Sequence, residues 1–245
     1  VLGIDFGMFK DITTESILAF MNNYGFDTGN KLMQFIRILI KKKCNNENIT
    51  FQELYNLTNI QLILTGTCLN TKEVEYFSYK THPEMKLIDA IRITVSIPLI
   101  YNKVQYEEKM YIDGAVLDNY PIQLFNQYKD KTIGFLLSST NDCNVSNIGN
   151  YIKSIISCIN HKLRSYQIMG FDKQTVKIEV DLSTLEFSVS REKKNTIITT
   201  AYDITKKYLD KRIESEQKQQ QPTEKIENEY KQNDLETEIE LLLQD

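Results

Sequence analysis

Apolar residues recur along this chain with two different periods. Leu32, Phe35, Ile36, Leu39 and Ile40 follow helical spacing, which predicts a helix that begins near Asp27-Thr28. It closes on Lys41-Lys42-Lys43, where cations complement the helix dipole. Before it, Ile17, Leu18, Phe20 and Met21 predict another helix, capped by Thr13 or Thr14 and ended by Tyr24-Gly25. Both stripes read as core, or as a lid pair beside a cleft. Thr50-Phe51-Gln52-Glu53 has the capping-box pattern and predicts a short helix. The near-continuous apolar run from Ile60 to Thr65 predicts a strand buried on both faces of a parallel sheet.

In the second half, Lys109 to Ile112 reads as a strand that delivers Asp113 to a glycine-containing turn, and Pro121 opens a helix to Tyr128. Thr132 to Leu137 is another buried strand, and strand, helix and strand in this order imply a right-handed crossover. Ile152, Ile155, Ile156, Ile159 and Leu163 form the expected buried stripe of a helix from Tyr151 to Ser165. Thr175 to Val180 alternates as an edge strand would, and Leu185 to Val189 is expected to pair nearby. A last helix runs from Arg191 through Ile197, Ile198, Tyr202, Ile204 and Leu209. Alternation of strands and helices predicts an α/β fold with a mostly parallel central sheet. The expected division is a globular domain over 1–211 and a polar, acidic, low-complexity tail over 212–245, with Pro222 breaking its glutamine-rich patch.

Composition changes this picture little. A hydrophobic content of 41% is enough for a buried core, and the formal charge is -4. Lys211 to Asp245 holds five basic and ten acidic residues, so the acidity belongs to the tail. A short lysine run without interleaved aromatics is not a nucleic-acid groove. Cys44, Cys68, Cys143 and Cys158 are too widely spaced for a metal knuckle or redox pair, and free thiols in a reducing compartment are expected. No apolar run approaches the length of a bilayer span. His82 precedes a proline in a turn and His161 shares a helix face with Lys162 and Arg164, so both read as solvated surface residues.

The stretch with chemistry is Asp113-Gly114-Ala115, followed by Asn119, Tyr120 and Pro121. A carboxylate at the carboxyl end of a strand lies where open α/β sheets place ligands, although Asp-Gly also simply opens turns. Upstream, Arg92 and Ser96 lie four apart on one helix face, and Pro98 ends that helix. With Ile60 to Cys68 and Tyr76-Phe77-Ser78 in the same order, residues 59–122 resemble the patatin-like phospholipase family. Arg92, Ser96, Pro98, Asp113, Gly114, Ala115, Asn119 and Pro121 fall on its pattern.

The resemblance implies a three-layer α/β/α fold and a lipid acyl ester hydrolase with a Ser-Asp dyad. Its serine sits in a Gly-x-Ser-x-Gly elbow, and the aspartate accepts the proton without a histidine. Asp113 fits the proton acceptor, Asp113-Gly114-Ala115 the motif, and Arg92, Ser96, Pro98 and Asn119 a supporting set. The substrate would be a phospholipid or neutral acylglycerol, with no metal or organic cofactor, in a cytoplasmic and membrane-peripheral setting. No Gly-x-Ser-x-Gly and no glycine-rich oxyanion loop occur in the 245 residues, and the first residue is Val1. The expectation is therefore an N-terminally truncated piece that holds the base and not the nucleophile, inactive alone. The alternative is a catalytically silent patatin-fold domain that binds lipid or serves as a scaffold.

Overall fold

The computed structural model describes residues 6–9, 20, 24–139, 148–180 and 188–242. The expected helix over Ile17 to Met21 and the strand over Leu185 to Val189 lie mostly outside these residues. Strand β1 (Gly25–Asp27) leads into helix α1 (Asn30–Cys44), which buries Met33 and Ile40 and carries Lys41, Lys42 and Lys43 in its last turn. Asp27 Oδ1 accepts the Gly29 N–H at 2.7 Å, an Asx turn that aims the chain into α1. Helix α2 (Phe51–Thr58) starts from the expected capping box. The Glu53 N–H reaches Thr50 Oγ1 at 3.2 Å, and the Thr50 N–H reaches Glu53 Oε2 at 2.8 Å.

Strands β2 (Leu64–Cys68) and β3 (Glu73–Phe77) form a hairpin, and helix α3 (Leu87–Thr94) packs on β2 through Leu87, Ile88, Ala90 and Ile93. Then follow β4 (Leu99–Tyr101), β5 (Val104–Tyr106) and β6 (Lys109–Asp113). The four-stranded sheet has the order β3-β2-β6-β5, with every pair antiparallel, while β1 and β4 pair in parallel. Phe51, Phe77, Ile88, Ile93 and Tyr111, each at most 2% exposed, make the centre of the core. Burying each such side chain contributes roughly 1.5–3 kcal/mol.

A 3-10 segment Ile122–Lys131 connects to β7 (Gly134–Ser139), helix α4 (Ile148–Gln167), β8 (Thr175–Val180) and the long helix α5 (Arg191–Leu242). β7 and β8 pair in parallel across α4, and a second small core gathers Tyr120, Ile122, Leu136 and Phe171. Among the described residues, no helix is long and apolar enough to cross a membrane.

The fold is α/β with partly parallel sheets, and several local expectations change. The largest sheet is antiparallel, because β2 and β3 are joined by four residues and β5 and β6 by two, connections too short for anything but hairpins. Ile60 is 68% exposed and the strand begins at Leu64, since Asn59 caps α2 in the left-handed region and sends the chain out to solvent. The parallel crossover is β7-α4-β8, not β6 to β7, and the α4 stripe is turned outward at Ile155 and Ile159, 45% and 52% exposed. Helix α5 continues through residue 211 and Pro222.

Candidate active site

Asp113 is the last residue of β6, half-buried, opposite Gly66 of β2. Two bonds fix its backbone. Its N–H donates to the Ser96 carbonyl at 3.0 Å, and its carbonyl accepts Thr67 Oγ1 at 3.0 Å. The turn then folds as a short 3-10 helix, Gly114–Val116, with Asp113 as its N-cap: Oδ1 accepts the Ala115 N–H at 2.8 Å. Oδ2 has no hydrogen-bond partner among the described residues. Burial pushes the carboxyl up to about 6, against the lowering effect of the Ala115 N–H. One oxygen is thus held by the turn while the other is free to take a proton near neutral pH.

Gly114 is required by space. A Cβ there would stand 2.2 Å from Thr65 Oγ1 and 2.6 Å from the Thr65 carbonyl carbon, so the turn can press against β2 only without a side chain.

Of Arg92, Ser96 and Pro98, Ser96 touches this turn directly, through its carbonyl. α3 ends at Thr94, so Ser96 lies beyond the helix instead of on its face, yet the two side chains still meet. The Arg92 guanidinium donates to Ser96 Oγ at 2.5 Å, to the Thr28 carbonyl at 3.0 Å and to the Asn102 carbonyl at 3.1 Å. Ser96 Oγ donates back to the Arg92 carbonyl at 2.6 Å and is fully buried. Burial lowers the Arg92 pKa, opposed by Tyr101 and Asp27. One side chain therefore ties together the start of α1, the end of α3 and the β4–β5 turn, and through Ser96 it reaches the residue that holds the Asp113 N–H. Pro98 sits in the half-buried bend between α3 and β4, followed by Leu99 at φ 69°. A leucine in that left-handed region costs roughly 1–2 kcal/mol, strain that the surrounding bonds hold in place. Asn119 is exposed, and its side chain makes no hydrogen bond among the described residues.

Asp118, Asp27 and Thr67 take part without having been singled out from the sequence as site residues. Asp118 closes the turn with its N–H on the Gly114 carbonyl at 2.9 Å. Its carboxylate accepts the Tyr76 hydroxyl at 2.6 Å and Gln167 Nε2 at 2.8 Å, linking β3 and the end of α4 to the Asp113 turn. Asp27, 1% exposed, supports Arg92, and Thr67, expected with Gly66 at a strand end facing the cleft, holds the Asp113 carbonyl. Their signal was weak because each partner lies tens of residues away in sequence. His82 is half-buried, edge-on to Phe77 and 4.0 Å from Glu75, and not simply solvated, while His161 is exposed. Cys44, Cys68 and Cys158 are free thiols, and Cys143 is outside the described residues. Among the described residues no cluster of metal-ligand type occurs. A cleft of 310 Å³ between α1 and α3 includes Asn30, Arg37, Asp89 and Arg92, but not Asp113.

Asp113 is thus a half-buried carboxylate on a glycine turn at a strand end, with one oxygen unbonded among the described residues. Residues 8–126, just under half of the chain, match the family model of patatin-like phospholipases. Asp113, Gly114, Ala115, Arg92, Ser96, Pro98 and Asn119 all lie inside it. An uncharacterized protein of Acanthamoeba polyphaga mimivirus is 29% identical over 210 residues, covering 81% of this chain and 69% of that protein. A protein of Invertebrate iridescent virus 6 named "Probable lipid hydrolase 463L" is 26% identical over 110 residues, 45% of this chain and 38% of its own length. The crystal structure of VipD from Legionella pneumophila superposes with a TM-score of 0.49 at 16% identity, over 68% of this chain and 36% of VipD.

Proposed function

We propose that this chain carries the general base of a lipid acyl ester hydrolase. Asp113 accepts the proton of a serine nucleophile that stands outside residues 1–245. The observation that carries the reading is the Asp113 carboxylate itself: one oxygen pinned by its own turn, the other unbonded, and a pKa lifted to about 6 by burial. A hydroxyl is a weak nucleophile until a base takes its proton as the acyl carbon is attacked. A carboxylate poised near neutral pH is suited to that task without an imidazole. The family match and the name of the iridescent virus protein support a lipid ester as substrate.

In the proposed cycle the serine oxygen bonds to the acyl carbonyl carbon and its proton passes to Asp113 Oδ2. The C–O bond to the leaving alcohol breaks, and that alcohol takes the proton. Water then repeats the exchange and releases the fatty acid. Arg92 and Ser96 act as positioning residues for Asp113, and the substrate places the reaction at a lipid–water interface.

The test is ester hydrolysis by the polypeptide of the complete reading frame, with the 245-residue chain beside it. Asp113→Asn is expected to lower kcat at least about a thousandfold with the melting temperature unimpaired. A serine-reactive phosphonate is expected to label the long polypeptide and not the short chain. Turnover that survives Asp113→Asn removes Asp113 from this role. A complete reading frame without labelling or hydrolysis, yet with lipid binding, identifies a silent lipid-binding domain instead.

A further inference from the structure

We propose that the cleft between α1 and α3 is a ligand site of its own, built for a small molecule in which an ammonium lies between a phosphate and a carboxylate, as in O-phosphoserine. The inference goes beyond the hydrolase reading and does not depend on it.

The cleft measures 310 Å³, and the buried side chains Met33 and Ile88 form its floor. Small-molecule sites begin at about 300 Å³. Three half-buried charged residues line it, Arg37 from α1 and Asp89 and Arg92 from α3. Among the described residues no ion pair joins Asp89 to either arginine, and its carboxylate accepts no hydrogen bond. Arg37 makes one long bond, to Asn48 Oδ1 at 3.4 Å. Arg92 uses three of its five N–H groups on Ser96 Oγ and the Thr28 and Asn102 carbonyls, which leaves two. Partly desolvated charges of opposite sign that do not meet each other carry a cost, and a ligand that meets both removes it.

The order of these charges follows from how the helices run. α3 begins beside the segment that follows α1, since the Leu87 N–H donates to the Ile49 carbonyl at 2.9 Å. It ends beside the start of α1, where Arg92 bonds the Thr28 carbonyl at 3.0 Å. The two helices are therefore antiparallel. Asp89 lies about 4.5 Å back along α3 from Arg92, and Arg37 lies about 10 Å along α1 from Asn30. From the start of α1 onward, the cleft presents a positive, a negative and a positive group.

That pattern selects its complement. A lone anion meets Asp89, and a lone amine meets two guanidiniums. A molecule ordered anion, ammonium, anion satisfies all three, with a carboxylate on the Arg37 fork, the ammonium at Asp89 and the phosphate at Arg92. The phosphate belongs at the Arg92 end because Asn30, the first residue of α1, lines the cleft there, and the start of a helix of 15 residues carries positive potential. Phosphoserine has this order in its covalent structure. The same group occurs as a free phosphomonoester and as the head of phosphatidylserine.

Calorimetric titration of the complete reading-frame polypeptide tests this, read without turnover. O-Phospho-L-serine is expected to bind at one site at least about tenfold tighter than O-phosphoethanolamine, which lacks the carboxylate, and than L-aspartate, which lacks the phosphate. Arg37→Gln is expected to remove the preference over phosphoethanolamine. Asp89→Asn is expected to weaken both phosphoamines about tenfold while leaving inorganic phosphate no weaker. Affinity for inorganic phosphate or L-aspartate equal to that for phosphoserine overturns the proposal. So does phosphoserine binding that neither substitution alters, or the absence of saturable binding. Phosphatidylserine vesicles then separate the two sources of the ligand. Flotation lost in Asp89→Asn identifies the lipid head group, and flotation that is absent or insensitive to Asp89→Asn identifies the free phosphomonoester. Lost hydrolysis with phosphoserine binding intact counts against the hydrolase reading alone.

Discussion

At the scale of single residues, Asp113 carries a cost that follows from its position. Burial raises its carboxyl from 3.8 to about 6, so the fold favours the protonated form. Ionisation is therefore a penalty that is absent below about pH 4 and complete above about pH 6, of order 1–3 kcal/mol. Asp113→Asn keeps an oxygen for the Ala115 N–H and removes the charge. Urea unfolding is expected to show the variant more stable than the parent by about that amount at pH 7 and equal to it near pH 4. A variant of unchanged stability across this range would mean that the carboxylate is solvated. Gly114 gives the opposite sign. Gly114→Ala drives a methyl into Thr65 and is expected to destabilise by about 1–3 kcal/mol at every pH, measured by the same unfolding curves.

At the scale of elements, the Asp113 turn depends on segments that are remote in sequence. Arg92 joins the start of α1, the end of α3 and the β4–β5 turn with a planar fork of donors. Arg92→Lys keeps the charge and loses the fork, so it is expected to destabilise by about 2–4 kcal/mol and to move the Asp113 titration followed by carboxyl carbon NMR. An unmoved titration would show that Arg92 supports the fold without positioning the base. The α2 cap provides a contrast. Thr50→Ala removes one bond of the capping box and is expected to cost about 1 kcal/mol in thermal unfolding, with the Asp113 titration unaffected.

At the scale of the whole molecule, the described residues hold two cores. The larger core lies under α3 and the four-stranded sheet, the smaller around Tyr120, Ile122, Leu136 and Phe171. Asp118 bridges them, receiving Tyr76 from β3 and Gln167 from α4. Arg212 secures α5 to the segment before β7. Arg212→Ala is expected to speed amide exchange in α5 around Tyr208 about tenfold and leave β2 and β6 unchanged, read by mass spectrometry. Exchange that rises equally in both regions would show one cooperative unit instead.

Local rules made much of this readable in advance. The Thr50–Glu53 box, the lysine end of α1 and the strand that delivers Asp113 to Gly114 follow from interactions within four residues, which any sequence displays directly. Asp113, Gly114, Arg92 and Ser96 stood out in the sequence because their spacing resembles a known pattern. Strand direction was not, since an apolar run such as Ile60 to Leu64 reads alike for parallel and antiparallel neighbours. Nor was the outward turn of the α4 stripe, because periodicity gives a helix an apolar face but does not say what covers it. The local chain by itself determined which residues could cap and turn. Only the tertiary structure decided how burial raises the Asp113 pKa, that Asp118 and Thr67 hold its turn, and which apolar faces stay uncovered, because desolvation and long-range bonds exist only once distant segments meet.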